Sequence, residues 1–162
     1  MVSRRLSHES GHRRKFLAIV DESPECERAI TYAARRAQTT GGQLVLLFVI
    51  APDGFKEWMG VGEIMRQEAT AAANLALDAA QERLHAATGI NSERVIREGK
   101  ATEVILSLIE DDQDIAIMVL AASSAKEGPG PLVASIGRGA AFPIPVTIVP
   151  QSLTDEDIAA IA

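Results

Sequence analysis

The run Ile115-Ala116-Ile117-Met118-Val119-Leu120 contains no polar position at all. A strand with one face in water alternates polar and apolar residues, whereas an unbroken apolar run of strand length must be covered on both faces. Phe16–Val20, Leu44–Ile50 and Val146–Val149 read the same way. Between these runs the period changes to that of a helix. Ile30, Ala33, Ala34 and Ala37 form one stripe, as do Met65, Ala69, Ala73, Ala76, Ala80, Leu84 and Ala87, and Ala101, Val104, Ile105, Leu108 and Ile109. The resulting order is β-α-β-α-β-α-β-α-β, which predicts an α/β fold: a three-layer, doubly wound sheet of five parallel strands. The strand centred on Val95-Ile96 has charged flanks and suits a sheet edge. That favours strand order 3-2-1-4-5, with winding reversed between the first and fourth strands.

Helix punctuation supports the same division. Ser23 is expected as an N-cap, with Pro24 at the first helical position and Glu25 and Glu27 in the first turn. Gly41-Gly42 ends that helix. A short helix is expected near 134–141. After the fifth strand, Thr154 with Asp157 forms a capping box, with Leu153 and Ile158 at the staple positions. The chain is thus read as a disordered basic tail over 1–13, one domain over 14–150 and a short C-terminal helix over 151–162.

The chain is 47% hydrophobic but only 4% aromatic, so its core must be built from Ala, Val, Ile and Leu. Charge is uneven. Arg4, Arg5, Arg13, Arg14 and Lys15 face only Glu9 in the first fifteen residues, so the rest of a chain of net charge −6 is strongly acidic. An acidic body argues against a nucleic-acid surface. Cys26 stands alone, which excludes a disulfide framework and suits a reducing cytoplasm. His8, His12 and His85 lack metal-ligand spacing, so no metal is expected. Asp111, Asp112 and Asp114 read as a solvated helix exit. No apolar run approaches the ~18 residues of a membrane span. Arg13-Arg14-Lys15-Phe16-Leu17 looks like a twin-arginine export signal, but Asp21 and Glu22 end the apolar run too soon.

In open α/β sheets ligands bind where the winding reverses, beyond the strand C-termini. Here that places Val20, Asp21 and Ser23 beside Leu120, Ala121, Ser123 and Ser124. A buried strand that empties into small residues and restarts as a helix has the layout of a phosphate cradle. Cys26 reads as an inert small residue. Trp58, in the segment 52–60, is a candidate lid.

These pieces resemble the universal stress protein family over roughly Arg14 to Val149. Ile19-Val20-Asp21-Glu22-Ser23 is similar to that family's strand ending Val-Asp-x-Ser. Nucleotide-binding members carry a glycine, two residues, a glycine, nine residues, then Gly followed by Ser or Thr. That frame falls on Ala121, Ser124 and Ala134-Ser135, with the spacing kept and every glycine replaced. The resemblance implies the adenine nucleotide alpha hydrolase-like fold. It also implies that Asp21 reaches adenosine, that backbone near Val49 meets adenine, that 121–124 holds ribose and phosphate, and that Ala134, Ser135 and Ile136 take phosphate oxygens.

A β-carbon at a glycine position of positive φ costs about 1–2 kcal/mol, and each ~1.4 kcal/mol is tenfold in affinity. The expectation is therefore a stress-response protein with a degenerate nucleotide pocket, no tightly bound cofactor and no catalytic activity. It would act as a homodimer or on an unidentified protein partner, in the cytoplasm, away from nucleic acid and membrane. The alternative is a nucleotide sensor binding ATP with Mg, or AMP. An enzyme of a related nucleotide-binding group is disfavoured, because the chain has no His-x-Gly-His, no Ser-Gly-Gly-x-Asp-Ser and no Walker lysine. Val146, Thr147, Ile148 and Val149 are uncharged, expected at the sheet edge, and are the candidate dimer interface. The C-terminal helix is expected near that seam, burying Ile158 and Ile161.

Overall fold

The computed structural model describes residues 3–52, 61–139 and 141–162; Trp58 lies outside them. Five strands, β1 (Lys15–Ile19), β2 (Gln43–Ile50), β3 (Ser92–Glu98), β4 (Ile115–Ala122) and β5 (Val146–Pro150), form one sheet of order β3-β2-β1-β4-β5. Every pairing is parallel, and Phe16 of β1 lies between Leu44 of β2 and Ile117 of β4. The helices are α1 (Cys26–Thr40), α2 (Val61–Thr88), α3 (Ala101–Asp111), α4 (Pro131–Gly137) and α5 (Asp155–Ile161).

Strand alternation sorts the core into two layers. Phe16, Ala18 and Val20 face α1, α2 and α5, meeting Ala33, Ala34, Leu77, Ala80 and Ile158. Leu17 and Ile19 face the opposite way, toward Val104, Ile105, Leu108 and Ile109 of α3, with Leu132, Val133 and Ile136 of α4 against the same cluster. Alanine at positions 29, 33, 34 and 37 lets α1 lie close over β1 and β4. On α2 the buried stripe is Ala73, Leu77, Ala80 and Leu84. Leu77 takes the place expected for Ala76, which is half-buried, and Ala87 is exposed.

Local boundaries differ from the sequence reading at two places. Ser23 is not the cap of α1: Glu25 occupies that position without a side-chain cap, and the Ser23 hydroxyl bonds Asp21 instead. Helix α4 begins at Pro131, not near 134, because Gly130 takes φ 102° and Pro131 is preset for the first helical position. Ile158 is fully buried within its own chain against the α1 layer, while Ile161 is 58% exposed. The Thr154–Asp157 capping box forms as read.

The basic N-terminal segment, expected as a disordered tail, is docked from Ser3 onward. Arg5 Nη1 donates to the carbonyls of Ile109 (2.6 Å), Asp112 (3.1 Å) and Ile115 (3.2 Å). The last carbonyls of a helix have no partners of their own, and a guanidinium with five donors supplies them. Ser3 bonds Glu110, the Leu6 N–H donates to Gln113, and His12 meets Asp114 at 2.7 Å. The acidic exit of α3 is thus paired rather than merely solvated. Lys15 lies 2.7 Å from Asp112 and Arg97 3.0 Å from Asp111. Burial works against the Lys15 charge, but hydrogen bonds to Asp112 and Glu93 outweigh it and hold its pKa above the ordinary lysine value.

Helix α1 stops at Gly41, which takes φ 69° and donates to Ala37. Gly42 is needed for a different reason: a β-carbon there would stand 2.7 Å from the Arg14 carbonyl oxygen, which is also the acceptor of Gln43 N–H at the start of the β1–β2 ladder. Gly42→Ala is expected to destabilise by about 1–3 kcal/mol, read as a lower urea midpoint at unchanged slope; an unaltered midpoint rules this out. Arg5→Ala is expected to lower stability by about 1–2 kcal/mol and to increase amide hydrogen exchange at Leu6. A genuinely loose tail would leave both unaffected.

Candidate functional site

Beyond the ends of β1 and β4 the chain diverges on opposite sides of the sheet, as the winding requires. The Asp21 carboxylate does not project freely from this point. Its Oδ1 accepts the Ser23 backbone N–H at 2.8 Å and the Ser23 hydroxyl, closing an Asx-type turn into α1. Val20 is buried, and its N–H donates to Leu47 O at 2.8 Å. Cys26 lies behind the turn, with its Sγ donating to Asp21 O at 3.4 Å. Burial pushes the thiol pKa up to about 11, so it is neutral at physiological pH and not a thiolate nucleophile.

The cleft between these turns is narrow. Asp21, Ser23, Leu120 and Ala121 line it, together with Pro129–Val133 of the loop and α4, and the cavity volume is about 50 Å³. Ligand pockets run to roughly 300–1,000 Å³. Outside it a shallow, open depression of about 530 Å³ continues past Glu25, Pro129, Gly130 and Pro131 to Ser123, Ala134 and Arg138. Glu25 and Glu127 on its rim oppose Arg138, so this face offers no net positive charge to a phosphate.

The loop after β4 turns its donors inward. Ser124 donates both its backbone N–H (2.9 Å) and its hydroxyl (3.2 Å) to Gln151 Oε1, and the Ser123 hydroxyl is 3.5 Å from the same oxygen. The Ser123 N–H is taken by Pro129 O at 3.1 Å. Gln151 is the residue that sequence reasoning missed. It follows Pro150, whose ladder partner is Ala122, and its own N–H donates to Ala122 O at 3.0 Å. The signal was a polar residue directly after a strand predicted to neighbour β4.

The remaining sequence candidates separate from the cleft. Because α4 starts early, Ala134, Ser135 and Ile136 lie in the helix body rather than at its open end. Ala134 N–H is bonded to Gly130 O, Ser135 Oγ donates to Leu132 O at 2.8 Å, and Ile136 packs on the core. Val49 packs on the α3 side of the sheet and does not line the cleft. Val146 and Thr147 are half-buried, Val149 is buried in the core and Ile148 is 42% exposed on the edge strand. Among the described residues, no three His, Cys, Asp or Glu side chains gather as a metal site, and no helix is long and apolar enough to cross a membrane.

The chain is similar in fold to a universal stress protein UspA from Lactobacillus plantarum (21% identity, 84% of this chain and 97% of that one, TM-score 0.67). It is also similar to a universal stress protein from Archaeoglobus fulgidus in complex with dAMP (19% identity, 84% and 97% covered, TM-score 0.59). A third likeness is to a universal stress protein family protein from Arabidopsis thaliana with AMP bound (20% identity, 89% and 95% covered, TM-score 0.60). A search of curated proteins returned no match. The sequence profile of the universal stress protein family matches residues 12–150, spanning β1 through β5. On that match the chain belongs to the universal stress protein family.

Proposed function

We propose that this protein serves a stress response as a dimeric, non-catalytic binding module in the cytoplasm, with a switch-point pocket too degenerate to hold adenine nucleotide tightly. The observation that carries the reading is the capture of the Ser124 N–H and hydroxyl by Gln151. A phosphate cradle needs free, converging N–H groups, and here they would first have to leave an internal acceptor. The narrow cleft, the carboxylates of Glu25 and Glu127 and the inward-turned Ser135 hydroxyl point the same way. No resident cofactor or metal is part of this reading.

A nucleotide-sensing role is the second reading. It is favoured by similar structures in complex with cAMP, dAMP and AMP, and by the room in the outer depression. Calorimetry with Mg-ATP and with AMP separates the two. The degenerate pocket predicts dissociation no tighter than about 100 μM. Combining Gln151→Ala with Ala121→Gly and Ser124→Gly is expected to strengthen binding about tenfold by releasing the loop. Nucleotide retained through purification of the wild-type protein would favour the sensor instead.

The dimer reading rests on β5, the last strand in the sheet order. Its outer backbone edge and the exposed Ile148 form an uncharged strip of the kind that proteins ordinarily blunt or cover. A two-fold related copy presents the same strip and covers it reciprocally. Ile158 is already buried by its own chain, so on α5 it is Ile161, 58% exposed, that remains available at such a seam. Sedimentation at micromolar concentration is expected to give twice 17.3 kDa, and Ile148→Lys to shift the species toward monomer. A wild-type monomer, or a dimer indifferent to Ile148→Lys, removes this interface.

A further inference from the structure

The narrow cleft and the outer depression meet at four residues that line both: Glu25, Pro129, Gly130 and Pro131. Glu25 alone among them is charged. It holds the N-cap position of α1, in the layer opposite α4, and its carboxylate reaches toward the start of α4. A β-carbon on Gly130 would stand 3.8 Å from Glu25 Oε1. The side chain is half-buried, yet it makes no cap hydrogen bond. Among the described residues its carboxylate has no hydrogen-bond or ion-pair partner. A half-buried charge is screened less than an exposed one. The surroundings do not neutralise it either: Asp21, Glu25 and Glu127 line the two spaces against Arg138 alone. Negative charge is therefore in excess where the two spaces join.

We propose, building on the degenerate-pocket reading above, that Glu25 sets the ligand preference of this site: its carboxylate repels phosphate-bearing ligands and leaves the site to uncharged ones of the nucleoside class. Gln151 and Glu25 act differently. Gln151 withdraws donors that a phosphate would need, an effect confined to hydrogen-bond range. Glu25 repels an anion across a Debye length, ~8 Å at physiological salt. Ionised carboxylates only accept hydrogen bonds, so Asp21 and Glu25 match ligand hydroxyl and amino groups and not phosphate oxygens. An uncharged ligand meets no repulsion, and the outer depression of about 530 Å³ has room for it outside the narrow cleft.

The test is titration of the full-length protein with AMP and with adenosine, followed by calorimetry, at about 0.01 M and about 0.15 M salt, where the Debye lengths are ~30 and ~8 Å. Wild type is expected to bind adenosine several-fold more tightly than AMP, and its AMP affinity to rise with salt while adenosine affinity stays flat. Glu25→Gln should strengthen AMP binding about five- to tenfold at the lower salt, less at the higher, and leave adenosine within about twofold. Glu22→Gln makes the same charge change on an exposed residue that lines neither space, and should alter neither ligand. The proposal is overturned if Glu25→Gln leaves AMP affinity unchanged, if Glu22→Gln gains as much, if wild type prefers AMP, or if adenosine does not bind. Should Glu25→Gln fail to fold, the wild-type salt dependence decides, and AMP affinity that falls with salt overturns the proposal equally. Tight AMP or ATP binding by wild type refutes the degenerate pocket separately, because the ratio of Glu25→Gln to wild type still reads the effect of the carboxylate.

Discussion

Burial of the two central strands on both faces is the constraint from which the rest of the molecule follows. Leu17 and Ala18 in β1 and Met118 and Val119 in β4 are all completely buried, although adjacent residues point to opposite sides. Neither strand can occupy an edge, and each needs a helical layer above and below. Right-handed crossovers then carry α1 and α2 to one side and α3 and α4 to the other. The chain must diverge after β1 and β4, and that divergence creates the cleft that gives the fold its usual ligand site.

What occupies the cleft depends on weaker interactions laid over that frame. In place of glycine, the loop after β4 carries alanine and serine, and its polar groups are satisfied from within the chain. Gln151 takes both Ser124 donors, because parallel pairing of β5 with β4 brings its side chain to the loop. Each captured donor is one fewer for an incoming phosphate. Releasing one must overcome a hydrogen bond worth about 0.5–1.5 kcal/mol net.

At the other end of the sheet, charge does comparable work for stability. The acidic exit of α3 would repel itself if bare. Lys15 of β1 and Arg97 of β3 pair with its carboxylates, while from the N-terminal segment His12 hydrogen-bonds Asp114 and Arg5 binds backbone carbonyls.

The elements, their order and the edge position of β3 were legible in the sequence, because burial periodicity is a local property. Phe16–Val20 reads as a covered strand, and the charged flanks of Arg94–Glu98 suit a sheet edge. The capping box of α5 was equally local. Reading failed where a residue's partner lies far along the chain. Arg5 finds carbonyls more than a hundred residues away, and Gln151 finds Ser124 only through strand pairing. The start of α4 was misjudged because the Ser135 hydroxyl suits a helix start as well as a helix body, while the decisive φ of Gly130 is a property of the folded loop. The sequence by itself therefore determined which segments are buried on both faces and hence the winding of the sheet. Only the tertiary structure decided which polar groups remain free at the cleft, because hydrogen bonds between distant residues are chosen by the packing that brings them together.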